Sequence, residues 1–172
     1  MKKKLNSFLV AMLIAIFAIS PVYAGGVSGK VGIGSITFEG YAYGFSRDAV
    51  TITLFGTGIP AITCHGPNGK VVPGQNPVPV QGETSASYTP TFDENGKFAI
   101  KLEAQPNIQG FTAKQLGCPN NNWNATVDFV YWNYVKLTVT EISSGKVLWE
   151  KESTCTTTRY PEPGTISCPA FE

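Results

Sequence analysis

Apolar and polar residues alternate with a period of two over several stretches of the chain. Phe98, Ile100, Leu102 and Ala104 are separated by Ala99, Lys101 and Glu103. That spacing places one face of a strand on a core and the other in water. The same alternation runs through Val50, Ile52 and Leu54, with Thr51 and Thr53 between them, and through Val127, Phe129 and Tyr131, with Thr126 and Asp128 opposite. Leu137 and Val139 repeat it against Lys136, Thr138 and Thr140. Ile36 and Phe38 mark a first strand after a glycine-rich start. Ala61 to Cys64 mark a short one after Gly56, Gly58 and Pro60, residues that predict a bend. No segment sustains a helical period, and only Ile108 to Leu116 has room for a short helical turn.

Three turns share one composition: Asn68-Gly69-Lys70-Val71, Asn95-Gly96-Lys97-Phe98 and Ser144-Gly145-Lys146-Val147. Glycine tolerates the positive φ that tight hairpins demand, so each is expected to lead into a strand. Placing Val147 and Trp149 on the face of Leu137 and Val139 requires a bulged turn with Gly145 left-handed. Pro73 to Pro79 is expected to be an extended loop or edge segment. About eight short strands punctuated by Gly, Pro and Asn predict an all-β fold, an antiparallel β-sandwich with a closed barrel as the alternative.

This rhythm is similar to that of immunoglobulin-like and other extracellular sandwich modules in general architecture. The tryptophan held between two cysteines in antibody domains is not matched: Trp123 follows Cys118, and Trp132 and Trp149 precede Cys155. Function therefore has to be argued from residues and not from the fold class.

The N-terminus has the organisation of a secretory signal peptide. Lys2, Lys3 and Lys4 form a basic start, Phe8 to Ile19 an apolar stretch, and Val22-Tyr23-Ala24 a cleavage site. The apolar stretch is shorter than the ~20 residues a membrane-spanning helix needs. Residues 1–24 are thus expected to be removed, leaving 25–172 as a single secreted domain, extracellular or periplasmic, without a membrane span. Loss of the three lysines takes the basic count from 13 to 10 against 12 acidic residues, a net charge of about −2. Such a surface offers no field for a nucleic-acid backbone.

All four cysteines, Cys64, Cys118, Cys155 and Cys168, lie in the exported part, which predicts two disulfides. Of the three possible pairings, Cys155 with Cys168 is favoured because Pro161, Pro163 and Gly164 turn the intervening chain back, leaving Cys64 for Cys118. The chain has no paired Cys-x-x-Cys spacing, and His65 is its single histidine, so no metal or other cofactor is assigned.

No hydrolase or nucleotide-binding signature occurs. Asp128, Glu141 and Glu150 on strands are the material for a carboxylate pair, which a small secreted hydrolase needs. The run Asp93-Glu94-Asn95 reads as a hairpin turn and lacks the spacing of a calcium loop. Asn124-Ala125-Thr126 forms a glycosylation sequon. The aromatic concentration of Trp123, Phe129, Tyr131, Trp132 and Tyr134 is more suggestive. Strict alternation puts Phe129 and Tyr131 on one face and Trp132 on the other with Val130, so a tryptophan-bearing patch is expected at the surface.

The sequence is therefore read as a non-enzymatic protein, acting in binding or as a structural component at the cell surface. Trp123, Tyr131, Trp132 and Tyr134 are its candidate contact residues, and its expected partner is a cell-surface glycan or protein, or its own copies. The alternatives are a filament subunit that assembles by adding its N-terminal strand to a neighbour's sheet, and a small hydrolase.

Overall fold

Two long strands form the axis of the structure, a computed structural model described here over residues 26–31, 35–45, 47–157 and 166–171. They are β3 (Val50–His65) and β8 (Asn124–Glu141), antiparallel from Val50↔Glu141 to His65↔Asn124. Around them, β5 (Val80–Tyr88) and the short β4 (Val71–Pro73) pair with β3, β7 (Pro106–Asn107) pairs with β5, and β9 (Val147–Thr154) pairs with β8. A three-stranded sheet, ordered β1 (Gly26–Val31), β2 (Ile36–Tyr43), β6 (Lys97–Ala104), lies against this six-stranded one. β10 (Thr156–Thr157) and β11 (Ile166–Ser167) make a small ribbon near the C-terminus. Every pairing is antiparallel, and the described residues contain no helix. The fold is an all-β sandwich with two disulfides.

The core fills the space between the sheets with the inward residues of β2 and β6, among them Ile36, Phe38, Ile100 and Leu102, against Ile52, Leu54, Leu137 and Val139. Phe171 closes one end, edge-on to Phe38 at 5.9 Å between ring centroids. The Cys155–Cys168 bridge ties that C-terminal segment to the end of β9. A smaller cluster of Ile62, Cys64, Leu116 and Cys118 lies under the far half of β3, crossed by the Cys64–Cys118 bridge. The cysteines thus pair as the proline-rich turn suggested, and none remains as a thiolate.

β3 is one strand of 16 residues where the sequence suggested two. Its glycines serve close approach instead of a bend. A Cβ at Gly56 would stand 3.2 Å from Cε3 of Trp132, one at Gly58 would stand 2.9 Å from its Cα, and one at Gly82 of β5 would stand 2.9 Å from its Cη2. Gly56 and Gly82 form a slot that receives the indole, while Gly58 lets β3 approach the β8 backbone, where a Cβ would stand 2.6 Å from the Tyr131 carbonyl oxygen. Pro60 lies beyond the last β3 residue paired with β5, Gly58, and before the first paired with β4, Thr63. There only β8 is a ladder partner, a position where a residue without an N–H is tolerated.

The three expected turn glycines, Gly69, Gly96 and Gly145, all have φ near +70° (71°, 69° and 68°). At the last of these the sequence reading needs correction. Thr140 pairs with Val147 and Val139 with Trp149, so Leu148 is the extra residue of a bulge, and Val147 points outward with 51% of its surface exposed. The Asp93 carboxylate accepts the amide hydrogens of Asn95 and Lys97, both at 2.8 Å, which accounts for the acidic run as a turn. Between β7 and Cys118, Thr112 and Gln115 exchange backbone-to-side-chain hydrogen bonds in the manner of a capping box, holding a single turn that presents Leu116 to the smaller cluster.

The expected signal peptide, 1–24, lies outside the described residues. β1 is paired with β2 along all six of its residues, so the segment that only the filament alternative would donate to a neighbour has a partner within its own chain.

Candidate functional site

Strict alternation fails on β8 at two places, and these failures build the site. Against β3, Gly58 pairs with Trp132 and Thr57 with Tyr134, which makes Asn133 an extra residue; Ile62 pairs with Val127 and Ala61 with Phe129, which makes Asp128 another. Each bulge reverses which residues face inward. The inward set is therefore Ala125 and Val127, then Val130 and Trp132, then Val135, Leu137 and Val139, each opposite an inward residue of β3.

Trp132 is consequently not a surface residue. It has 0% exposure and is the largest fully buried side chain, seated over the glycine slot. Its assignment as a contact residue is overturned, because the bulge at Asp128 breaks the alternation that put Phe129 and Tyr131 on the face of Val127, turning those two outward and Val130 and Trp132 inward.

The other three candidates separate. Trp123 is half-buried on the cluster around Cys64–Cys118, its six-membered ring lying over Gly66, where a Cβ would stand 3.0 Å from Cη2. Tyr134 lies on the outer face of the other half of the large sheet, edge-on to Phe55 at 6.3 Å, and its hydroxyl donates to Glu152 at 2.5 Å. That hydrogen bond, with partial desolvation, raises the phenol above its ordinary range. Tyr131 alone of the four lines a groove.

The groove has a volume of about 930 Å³ and crosses the outer face of β3 and β8 at their far half. Phe129 and Tyr131 form one side, edge to face at 4.5 Å between centroids. Asp128 stands beside them, displaced outward by its bulge and accepting a hydrogen bond from the Thr63 hydroxyl at 2.7 Å. Ile59 and Ala61 of β3 lie between, and the loop Pro73 to Pro77 makes the opposite wall.

That wall is fixed by three backbone hydrogen bonds: Gly74 N to Ile62 O at 2.7 Å, Gln75 N to Gly117 O at 2.9 Å and Val78 N to Gln115 O at 3.0 Å. Asn76, between the last two, has φ of +50°, a left-handed conformation that non-glycine residues rarely adopt and that often marks functional loops. The Cys64–Cys118 bridge lies behind this arrangement and holds the Gly117 segment in place. The result is a preformed trough with aromatic rings on one side and Gln75 and Asn76 on the other.

Phe129 and Asp128 were visible in the sequence, the first as a core residue and the second as a candidate catalytic acid. Nothing in the local pattern announced that a bulge on either side would bring them together. The three carboxylates proposed for hydrolysis are held apart. Asp128 is in the groove, Glu150 is at the other half of the sheet in an ion pair with Lys136 at 2.7 Å, and Glu141 accepts the Ser144 hydroxyl in its own turn. Lys136 keeps the Glu150 carboxyl below its ordinary range. His65 is exposed at the end of β3, and its neighbour Cys64 is in a disulfide, so the two make no thiolate pair.

No protein-family model matches the chain, and no curated protein matches it. Among solved structures, it is similar to a Bacteroides uniformis β-glucuronidase at 11% identity and a TM-score of 0.29 over 78% of this chain. It is also similar to a calcium-binding mutant of Bacteroides uniformis β-glucuronidase 2 at 12% identity and a TM-score of 0.25 over 77% of this chain. In each case it spans 13% of the length of the other protein.

Proposed function

We propose that residues 25–172 form a secreted, non-enzymatic binding module that holds a cell-surface glycan in the groove between Tyr131 and the loop Pro73 to Pro77. The observation that carries this reading is the edge-to-face pair of Phe129 and Tyr131, with Gln75 and Asn76 across a trough whose wall is fixed by backbone hydrogen bonds. A sugar ring presents C–H groups on its faces and hydroxyls around its edge. The C–H groups suit the negative face of an aromatic ring, and the hydroxyls suit side-chain amides, which donate and accept, and a carboxylate, which accepts. A site whose wall is already ordered loses little entropy when it binds. Secretion is supported by the two disulfides, which persist in oxidising compartments. No helix among the described residues is long and apolar enough to cross a membrane.

The test is capture on a glycan array by the oxidised mature protein. The wild type should bind a defined subset of glycans. Tyr131→Ala and Phe129→Ala should each weaken that binding by about tenfold or more, as expected for loss of an aromatic contact, with little change in melting temperature. Tyr134→Ala should leave it unchanged. Equal capture by the wild type and a Phe129→Ala/Tyr131→Ala double variant would reject the groove as the site.

A further inference from the structure

The most exposed aromatic side chains of the described residues are on the opposite side of the sandwich, away from the groove. Tyr41 and Tyr43 on β2 retain 51% and 38% of their surface. Ala42 between them is fully buried in the core, so both rings point outward from the three-stranded sheet. Two residues apart on one strand, they stand about 7 Å from each other along it. The neighbours in register are small or slender: Ala99 and Lys97 on β6, and Ser28 and Gly26 on β1. Both rings thus stand on the outer face of the three-stranded sheet, on its central strand.

The charges on this face are arranged in order. At the Tyr43 end, Lys97 is directly across the ladder, and its ammonium enters no ion pair among the described residues. The nearby Asp93 carboxylate is occupied by the amides of its own turn. In the middle, Glu39 and Lys101 cancel each other in an ion pair at 2.5 Å. At the far end, Glu103 accepts hydrogen bonds from Ser35 and Gln105. Asp93 and Glu103 keep their negative charges at the two ends, and the charge directly in register with the aromatic pair is the Lys97 ammonium.

We infer that Tyr41, Tyr43 and Lys97 form a second saccharide-binding surface, selective for polysaccharides whose units carry an acidic group. Two sugar units stack on the two rings, and a carboxylate or sulfate meets the Lys97 ammonium. A second copy of this chain is the poorer occupant. A stable interface buries roughly 800 Å² per partner around an apolar centre, whereas here two rings and one alanine are bordered by charges on both sides. An extended neutral glycan would leave the lysine without a partner. The surface is independent of the groove, which faces the other way and carries Asp128 where this one carries a cation.

The experiment measures binding of the oxidised mature protein to immobilised polygalacturonate, alginate, hyaluronan and chondroitin sulfate, with the carboxyl-reduced form of each uronate polymer beside it. The wild type should bind at least one acidic polymer and lose affinity for its reduced counterpart. Tyr41→Ala/Tyr43→Ala should weaken binding by about tenfold or more, while Tyr41→Phe/Tyr43→Phe, which keeps the ring faces, should retain it. Lys97→Gln should abolish the preference for the acidic form. Phe129→Ala/Tyr131→Ala should leave all of this unchanged, which separates failure here from failure of the groove. Binding to none of the acidic polymers, equal binding to the reduced forms, or loss of binding in the groove variant alone would overturn the inference.

Discussion

The two halves of the long strand pair β3 and β8 solve the same packing problem differently. In the half from Val50 to Gly56, alternation is regular, and a second sheet covers the inner face with Phe38, Ile100 and Leu102. In the half from Gly58 to His65, that sheet is replaced by a single capped turn bearing Leu116, by Trp123 and by a disulfide. The outer face differs correspondingly. Over the covered half it is a ladder of hydroxyls and charges, with Thr53 bonded to Ser85 and Lys136 to Glu150. Over the other half, two bulges on β8 raise Asp128, Phe129 and Tyr131 into a groove. Where the second layer is a sheet, the register between β3 and β8 is kept, and the outer face carries hydroxyls, charges and the Phe55–Tyr134 pair without a groove of this kind. Where it is a cross-linked turn, the strand has room to bulge, and the groove lies there.

The comparison breaks most completely at Trp132, which sits where the two halves meet. Replacing it with alanine should cost about 3–5 kcal/mol in denaturant unfolding, the usual loss for a buried tryptophan, because Gly56 and Gly82 against the ring have no side chains to fill the space. A loss below 1 kcal/mol would mean that the indole is not in its slot. The Cys64→Ser/Cys118→Ser variant should lose roughly 4 kcal/mol on the loop-entropy account. Hydrogen exchange should then speed up selectively at Ile62, Leu116 and Gln75, leaving Leu54 and Leu137 protected. Uniform acceleration would show that the halves are not separately stabilised.

Gly58→Ala should cost about 1–3 kcal/mol as an overpacked site, since the added methyl would meet the Tyr131 carbonyl at 2.6 Å, backbone that yields only if the bulge moves. A neutral outcome would argue against the bulge at Asn133. The smallest effect belongs to the covered half's surface. Lys136 keeps the Glu150 carboxyl below its ordinary range, so the pair contributes stability above the unfolded carboxylate's titration, and this is lost as pH falls through the lowered folded value. Both groups are solvated, so the wild type should show only a slight fall in urea midpoint over that acid range. The fall should be smaller still in Lys136→Met and in high salt.

Much of the architecture was legible because it rests on local chemistry. The period of two located β6 and the regular half of β3, and the Gly-Lys turns marked three positive-φ positions. Export-compatible cysteines and a proline-rich return gave the disulfide pairing. What escaped was non-local. Gly56 and Gly58 read as strand breakers because the β8 residues that approach them closely, Trp132 and Tyr131, are distant in sequence. The face assigned to Trp132 was inverted because a bulge is a relation between two strands, and Asp128 between Val127 and Phe129 has no local mark of it. Tyr41 and Tyr43 went unnoticed as a pair because alternation with a buried alanine looks like any other strand. Their exposure follows only from the three-stranded sheet presenting that face outward.

The central claim is that the bulged half of β8 presents a glycan-binding groove, and the most direct measurement is an amide-shift titration of the labelled protein with a glycan captured on the array. The account predicts saturable shifts concentrated at Thr63, Gln75, Asn76 and Asp128 to Tyr131, with Val135 to Val139 unmoved. Saturable shifts that spare those residues, or confinement of the response to the covered half of the sheet, would contradict it.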